Sequence, residues 1–244
     1  MNDVRNELKL SGAISLGQTE VRNLAKIPSG RISMSDLRGK SSGPTTPQDC
    51  DYYFETIEDF NARRDGIIAE NNNDLSQKTF GFGDGVTMLF PFFAYSSITS
   101  TPKMIIAKNV TNAGRCFYNC NQLKIIQKQL FYNCNNINSF EECFEFCFDL
   151  QSISEGIFDK NIKATNFNGC FSACTDIVEV PFNLFDKNVN ATIFSRCFSD
   201  CSKITSALPD VWNKAKFPKV TDGTNYANSC EKAANYNEIP ADFK

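Results

Sequence analysis

Four pairs of cysteines constrain the fold of this chain more tightly than any other feature of it. Cys116 and Cys120, Cys143 and Cys147, Cys170 and Cys174, and Cys197 and Cys201 each bracket the phrase Cys-Phe-x-x-Cys, and corresponding members of successive pairs lie 27 residues apart. The register holds between the pairs as well. Phe117, Phe144, Phe171 and Phe198 follow the first cysteine, Phe131, Phe158, Phe185 and Trp212 share a second phase, and Phe140, Phe167 and Phe194 a third. After the second cysteine come Leu123 and Ile126, Leu150 and Ile153, Ile177 and Val180, and Ile204 and Ala207. That phrase, C-x-x-[LI]-x-x-[IVA], predicts a strand along one edge of each unit.

One side-chain type recurring at a fixed phase implies a solenoid. Each coil of a solenoid touches only its neighbours, so equivalent positions stack into columns that need side chains of matched volume. The cysteine and phenylalanine columns are then the core, carried by Cys116, Cys120, Cys143, Cys147, Cys170, Cys174, Cys197 and Cys201 with Phe117, Phe144, Phe171 and Phe198. Strands added edge to edge at about 4.8 Å give a rod of roughly 20 to 25 Å over four to five coils. Such a stack needs terminal caps. Phe80 to Thr111 is the expected first cap. The final segment, residues 207 to 244, leaves the register by an insertion but keeps an echo at Tyr226 to Cys230, and reads as a degenerate closing coil.

Ahead of the repeat the chain changes character twice. Residues 1 to 40 alternate apolar and polar side chains at Ile14 to Leu16 and Ile32 to Met34, the pattern of short half-buried strands. SSGPTTPQDC, from Ser41, has the composition of a linker. Over 51 to 76, Phe54, Ile57, Phe60, Ile67 and Ile68 fall at roughly helical spacing and predict one helix, followed by a polar loop at Asn71 to Asp74.

Composition removes several function classes. A net charge of -3 provides no basic field for nucleic acid or anionic lipid. No run approaches the ~18 apolar residues of a membrane span, and MNDVRNELKLSG lacks the pattern of a secretory signal, so neither membrane insertion nor Sec-type export is expected. The chain has no histidine, the commonest acid/base group and metal ligand, and no serine, threonine or cysteine has a plausible base beside it in sequence. No enzyme activity, catalytic residue or cofactor is expected.

The 11 cysteines invite a metal. Every coil, however, carries its pair at the same core phase, whereas zinc and iron-sulfur sites need one closed set of ligands, usually at C-x-x-C spacing. The pairs are read as buried thiols acting as small apolar residues, with disulfides between coils as the alternative. Cys50 and Cys134 stand outside the pairs, and Cys134 shares its phase with Asn161 and Asn188. Glu141, Glu142 and Glu145 have no counterparts in other coils and read as a solvated rim. Gly81 to Gly85 lacks the Lys-Ser/Thr ending of a phosphate loop and reads as a turn. Tyr52, Tyr53, Phe54, Tyr118, Tyr132, Tyr226 and Tyr236 are aromatic candidates for stacking on a sugar, weighed against core roles.

The phrase FSACTDIVEVPFNLFDKN, residues 171 to 188, resembles leucine-rich repeats of the BspA-like kind, and the resemblance covers about residues 103 to 244. It implies a solenoid with a parallel strand lining one face. AISLGQTEVRNLAKIPSGRISMSDLRGKS, residues 13 to 41, is similar to a short module found at the start or end of many tailed-phage virion proteins. Together they imply an α+β chain in three parts. Residues 1 to 40 form a small, mainly β virion attachment module, 41 to 79 a linker and helix, and 80 to 244 a capped leucine-rich-repeat solenoid of 27-residue coils with a parallel strand edge. The implied function is that of a non-enzymatic tail or fibre protein, in the virion after assembly in the host cytoplasm. Other virion proteins would be held through residues 1 to 40 in a symmetric homo-oligomer, and a host-surface glycan or protein would be recognised by the solenoid. A decoration, collar or cement protein stabilising the particle is the alternative. A cellular BspA-like surface protein is a further one, for which an export signal is expected.

Overall fold

The computed structural model describes residues 50 to 244. The chain divides into two units, Met1–Thr46 and Pro47–Lys244, so the attachment module expected at 1 to 40 lies outside the described residues.

Short-range signals set the first elements. β1 (Tyr52–Phe54) leads into Thr56, whose hydroxyl accepts a hydrogen bond from the Asp59 amide at 3.2 Å and caps α1 (Ile57–Glu70). Glu58 and Asp59 in the first turn complement the positive end of the helix dipole. The helix stops at three asparagines. Asn71 turns its side-chain amide back onto the Ile67 carbonyl at 2.7 Å, and Asn72 and Asn73 adopt positive φ of 51° and 62°, which asparagine tolerates better than most residues. Phe60, Ile67 and Ile68 are its buried face. Phe54, placed on the helix by its spacing, instead belongs to β1, because its carbonyl accepts from the Gly83 amide and the residue pairs with Phe82.

β1 pairs in parallel with β2 (Thr79–Phe82), and β2 in parallel with β3 (Met104–Ile106), setting Tyr52 opposite Phe80 and Phe80 opposite Ile105. Among the described residues no regular strand follows β3, and the only later helical pieces are 3-10 turns at Tyr236–Glu238 and Ala241–Phe243. The strand edge expected from C-x-x-[LI]-x-x-[IVA] is therefore replaced by single parallel bridges between coils. One column of them runs Met88, Asn112, Ser139, Asn166, Ile193, Asp222. The physical reason is the period: buried side chains three residues apart cannot all lie on one face of a pleat whose period is two.

The phrase Cys-Phe-x-x-Cys folds as overlapping turns. In the second coil of the repeat the amides of Cys143, Glu145 and Cys147 bond back to the carbonyls of Phe140, Glu142 and Phe144 within the coil. The alternate amides of Glu142, Phe144 and Phe146 bond forward to the carbonyls of Asn168, Cys170 and Ser172 in the next. Each backbone donor is thus satisfied, half by a turn and half by a neighbouring coil. The residues before the two cysteines carry the bend, with positive φ at Arg115 and Asn119, Glu142 and Phe146, Gly169 and Ala173, and Arg196 and Asp200. Only one of these eight is glycine, so the coil-to-coil bonding offsets a left-handed penalty of about 1–2 kcal/mol at each of the others. The same bend turns a cysteine and the adjacent phenylalanine both inward, which a strand cannot do.

The columns stack ring on ring. Phe93, Phe117, Phe144, Phe171 and Phe198 form a continuous pile with centroids 5.1, 5.3, 5.3 and 5.5 Å apart and planes within 6° of parallel. Both ends are closed by a ring set edge-on. Phe60 of α1 meets Phe93 at 77°, and Tyr226 meets Phe198 at 88°. Tyr226 gives its hydroxyl hydrogen to the Pro209 carbonyl at 3.1 Å, while Trp212 and Phe243 pack beside it. Gly223 is needed there, since a Cβ on it would overlap the Phe243 ring. The first cap is therefore β1 with α1. The expected cap, Phe80 to Thr111, supplies β2, Phe93 and β3, which are coils of the stack. Phe54 and Phe60, from the segment read as linker and helix, join the same hydrophobic cluster as Phe243 at the far end.

Candidate functional site

All twelve repeat-core residues named from the sequence are fully buried: Cys116, Cys120, Cys143, Cys147, Cys170, Cys174, Cys197, Cys201, Phe117, Phe144, Phe171 and Phe198. The second cysteine of each pair has a specific partner. Cys120, Cys147, Cys174 and Cys201 point their thiols at the carbonyls of Phe93, Phe117, Phe144 and Phe171, at 3.0 to 3.3 Å, and Cys230 does the same to Phe198. At the other phase Cys134 bonds the Ile105 carbonyl. Asn161 and Asn188 take over that position with side-chain amides that donate to the Cys134 and Asn161 carbonyls, each at 2.9 Å. The buried cysteines carry free thiols. Burial raises the pKa of every one, to about 11 for Cys120 and about 12 for Cys134 and Cys230. A thiol held protonated in this way is a poor nucleophile and a poor metal ligand. Among the described residues no group of three or more Cys, Asp or Glu is arranged to hold a metal ion.

The rings exposed on the described surface are not the ones the core requires. Phe90 (40% exposed), Tyr95 (71%) and Phe148 (40%) stand in solvent, with Tyr118 and Phe146 half-buried between them. The rings make one connected strip over three coils. Tyr95 meets Tyr118 at 5.5 Å, Tyr118 meets Phe146 at 5.4 Å and 88°, and Phe146 meets Phe148 at 6.0 Å. The Arg115 guanidinium lies 5.4 Å from the centre of Tyr118 and 5.8 Å from that of Phe90, joining the last ring to the strip.

Charged groups follow the strip along one edge. Arg115 pairs with Glu142 one coil on. Arg196 reaches back across Gly169 to Glu145 at 3.0 Å, two coils away. Glu145 is only 3% exposed, which corrects its reading as part of a solvated rim. Burial, with the nearby Glu142, raises its pKa, and Arg196 opposes that shift. Glu141 is exposed and accepts from Asn168 at 3.2 Å. Tyr118 is also held above the usual tyrosine range, by burial first and then by Glu145.

The strip gives way to small side chains. Ala173 stands one coil after Phe146 at its phase, Ser172 two coils after Tyr118, and Gly169 follows Arg115 and Glu142 in their column. Beyond the last ring the side chains are small, and the paired Glu145 and Arg196 lie beside them.

Of the aromatic residues picked from sequence, only Tyr118 belongs to this strip. Phe54 and Tyr226 are core, Tyr52 is tied to Glu70 at 2.6 Å, and Tyr132 stands apart under Lys160. Phe90, Tyr95, Phe146 and Phe148 were missed. For Phe146 the signal was present, since its equivalent in the next coil is Ala173 and a repeat column would not change so far in volume.

Comparison with family models, with curated proteins and with solved structures found no match to this chain.

Proposed function

We propose that this chain is a non-catalytic recognition protein of a tailed-phage virion: residues 1 to 40 dock it to other virion proteins, and the stacked coils, a leucine-rich-repeat-type solenoid, present a rigid surface to the host cell. The observation that supports recognition most directly is the strip Phe90, Tyr95, Tyr118, Phe146 and Phe148. Exposed rings joined in one patch are unfavourable in water unless something covers them. The scaffold beneath them is chemically quiet, with buried thiols held protonated, so the role open to it is contact over an extended surface rather than reaction. The virion half of the reading rests on the sequence of residues 13 to 41, and places the chain in a symmetric oligomer on the tail.

The test is adsorption of the full-length chain, labelled on lysine, to a panel of bacterial strains. Saturable adsorption to a subset of strains, displaced by unlabelled chain, is the expected result. Uniform absence of adsorption, with the chain entering purified particles made without it, replaces this reading with that of a decoration or cement protein.

A further inference from the structure

We propose that the strip formed by Phe90, Tyr95, Tyr118, Phe146 and Phe148 is a saccharide-binding site that takes a glycan chain laid across three coils. The proposal rests on the recognition reading above and names the site and the ligand class.

The repeat supplies its own control for which residues the fold needs. The backbone at Phe146 recurs one coil later at Ala173, and that at Tyr118 two coils later at Ser172, with the same turns, the same forward bonds to the next coil, and positive φ at both Phe146 (62°) and Ala173 (56°). Serine and alanine therefore suffice at these places. A large ring held at a left-handed residue where alanine folds equally well adds nothing to the core, and its exposed face leaves apolar area uncovered. The rings are surplus to the fold and point to a ligand.

The form of the surface decides what kind. Successive rings from Tyr95 to Phe148 lie 5.4 to 6.0 Å apart and are turned 56° to 88° from one another, so a sugar chain crossing them meets alternating ring faces and edges with its apolar C–H surfaces. A tyrosine or phenylalanine does this at little conformational cost, because it has only two side-chain torsions. Along the edge lie the groups that hydroxyls require. The guanidinium groups of Arg115 and Arg196, about half exposed and each held by a carboxylate, offer donors in fixed positions, and the Tyr95 and Tyr118 hydroxyls can donate and accept. Glu145, itself buried and bonded to Ser172, fixes Arg196, so the remaining N–H groups of that guanidinium are oriented before any ligand arrives. A protein partner of ordinary affinity would want about 800 Å² of contiguous contact surface on this side, with a fully apolar centre. This strip is one ring wide and lined by charge, which fits a narrow polar polymer better than a folded protein.

The test uses the full-length chain, an array of purified bacterial surface polysaccharides, and bacterial cells treated in parallel with periodate or with protease. The variant pair Tyr118→Ser and Phe146→Ala copies the residues that the coil of Cys170 and Cys174 already has at these phases, so it should fold, which circular dichroism and thermal melting would verify. Tyr132→Ala, which alters an exposed ring away from the strip, is the control. The expected result is retention on at least one polysaccharide, loss of cell adsorption after periodate but not after protease, and a tenfold or greater weakening in the double variant alone. Adsorption that survives periodate and is lost to protease overturns the saccharide proposal in favour of a protein receptor. Adsorption undiminished in the double variant overturns the site while leaving the recognition reading standing. No binding to any polysaccharide or any cell overturns both.

Discussion

Raising the pH should unfold this protein steeply, because its core is built from acids held in their neutral form. Ten cysteines, all but Cys50, are buried and have their pKa raised by burial. The sign follows from proton counting. Above the ordinary thiol value of 9.0 the unfolded chain gives up protons that the folded chain keeps, so stability is complete below that value and falls as pH rises toward the folded values, about 11 to 12 where they are defined. Each thiol that stays protonated costs the folded state about 0.4 kcal/mol at the unfolded pKa and about 1.4 kcal/mol one unit higher. Ten of them amount to about 4 and about 14 kcal/mol, against a total stability of about 5 to 15 kcal/mol for a domain. The midpoint should therefore fall within about one pH unit above the ordinary thiol pKa. The assay is an alkaline titration under anaerobic, reducing conditions, following circular dichroism and the ultraviolet absorbance of thiolate together. The two signals should change at the same pH, as one cooperative step. Thiolate appearing gradually while the dichroism stays native would refute the account of the core, and so would a chain still folded two pH units above the thiol value.

Four further outcomes follow from the same columns. In the native protein a thiol reagent should modify at most the half-buried Cys50, with all 11 cysteines reacting in denaturant without prior reduction; a lower count in denaturant would mean that disulfides exist. Phe144→Ala removes the middle ring of the pile, 5.3 Å from both Phe117 and Phe171, and should cost about 3–5 kcal/mol in urea unfolding, with the neighbouring coils destabilised first in hydrogen exchange. Asn161→Asp places a carboxylate against the Cys134 and Phe131 carbonyls and should cost about 3–5 kcal/mol at neutral pH, shrinking as the pH is lowered. Asn161→Cys, which restores the residue used at Cys134 and removes a buried oxygen without a partner, should stay within about 1 kcal/mol of the parent.

The repeat length, the core columns and the presence of one helix could be read from residue spacing, because a column needs the same side chain at the same phase in every coil. The conformation that carries the columns could not. Left-handed φ at Arg115, Glu142, Phe146 and Arg196 has no glycine to announce it, and the bonds that stabilise it run between residues 26 apart, such as Phe144 and Cys170. The strand edge was inferred from apolar spacing alone, which does not distinguish a pleat from a run of turns. The first cap was assigned too late in the chain because β1 and β2 are short and irregular in spacing, and only their parallel pairing shows that the coils begin there. At the candidate site, Tyr118 stood out as a tyrosine inside the repeat. Phe146 and Phe148 were hidden by composition, since in a chain with 22 phenylalanines two more beside a column look like core.

This arrangement separates what holds the molecule together from what it presents. Residues in the columns are coupled to their equivalents in two other coils, so a change of volume in one coil propagates strain to its neighbours. Tyr118 and Phe146, at two phases outside the columns, sit on the same backbone but make ring contacts only within the strip, and the chain itself shows that tyrosine, glutamate and serine can follow one another at the first phase. Diversity at those two phases is therefore tolerated by the fold while the core stays constant. A surface of this kind can be altered ring by ring without reopening the packing problem beneath it. It follows that the saccharide binding proposed for the strip should change on substitution at Tyr118 and Phe146 while the alkaline midpoint, set by the thiols of the columns, stays where it is.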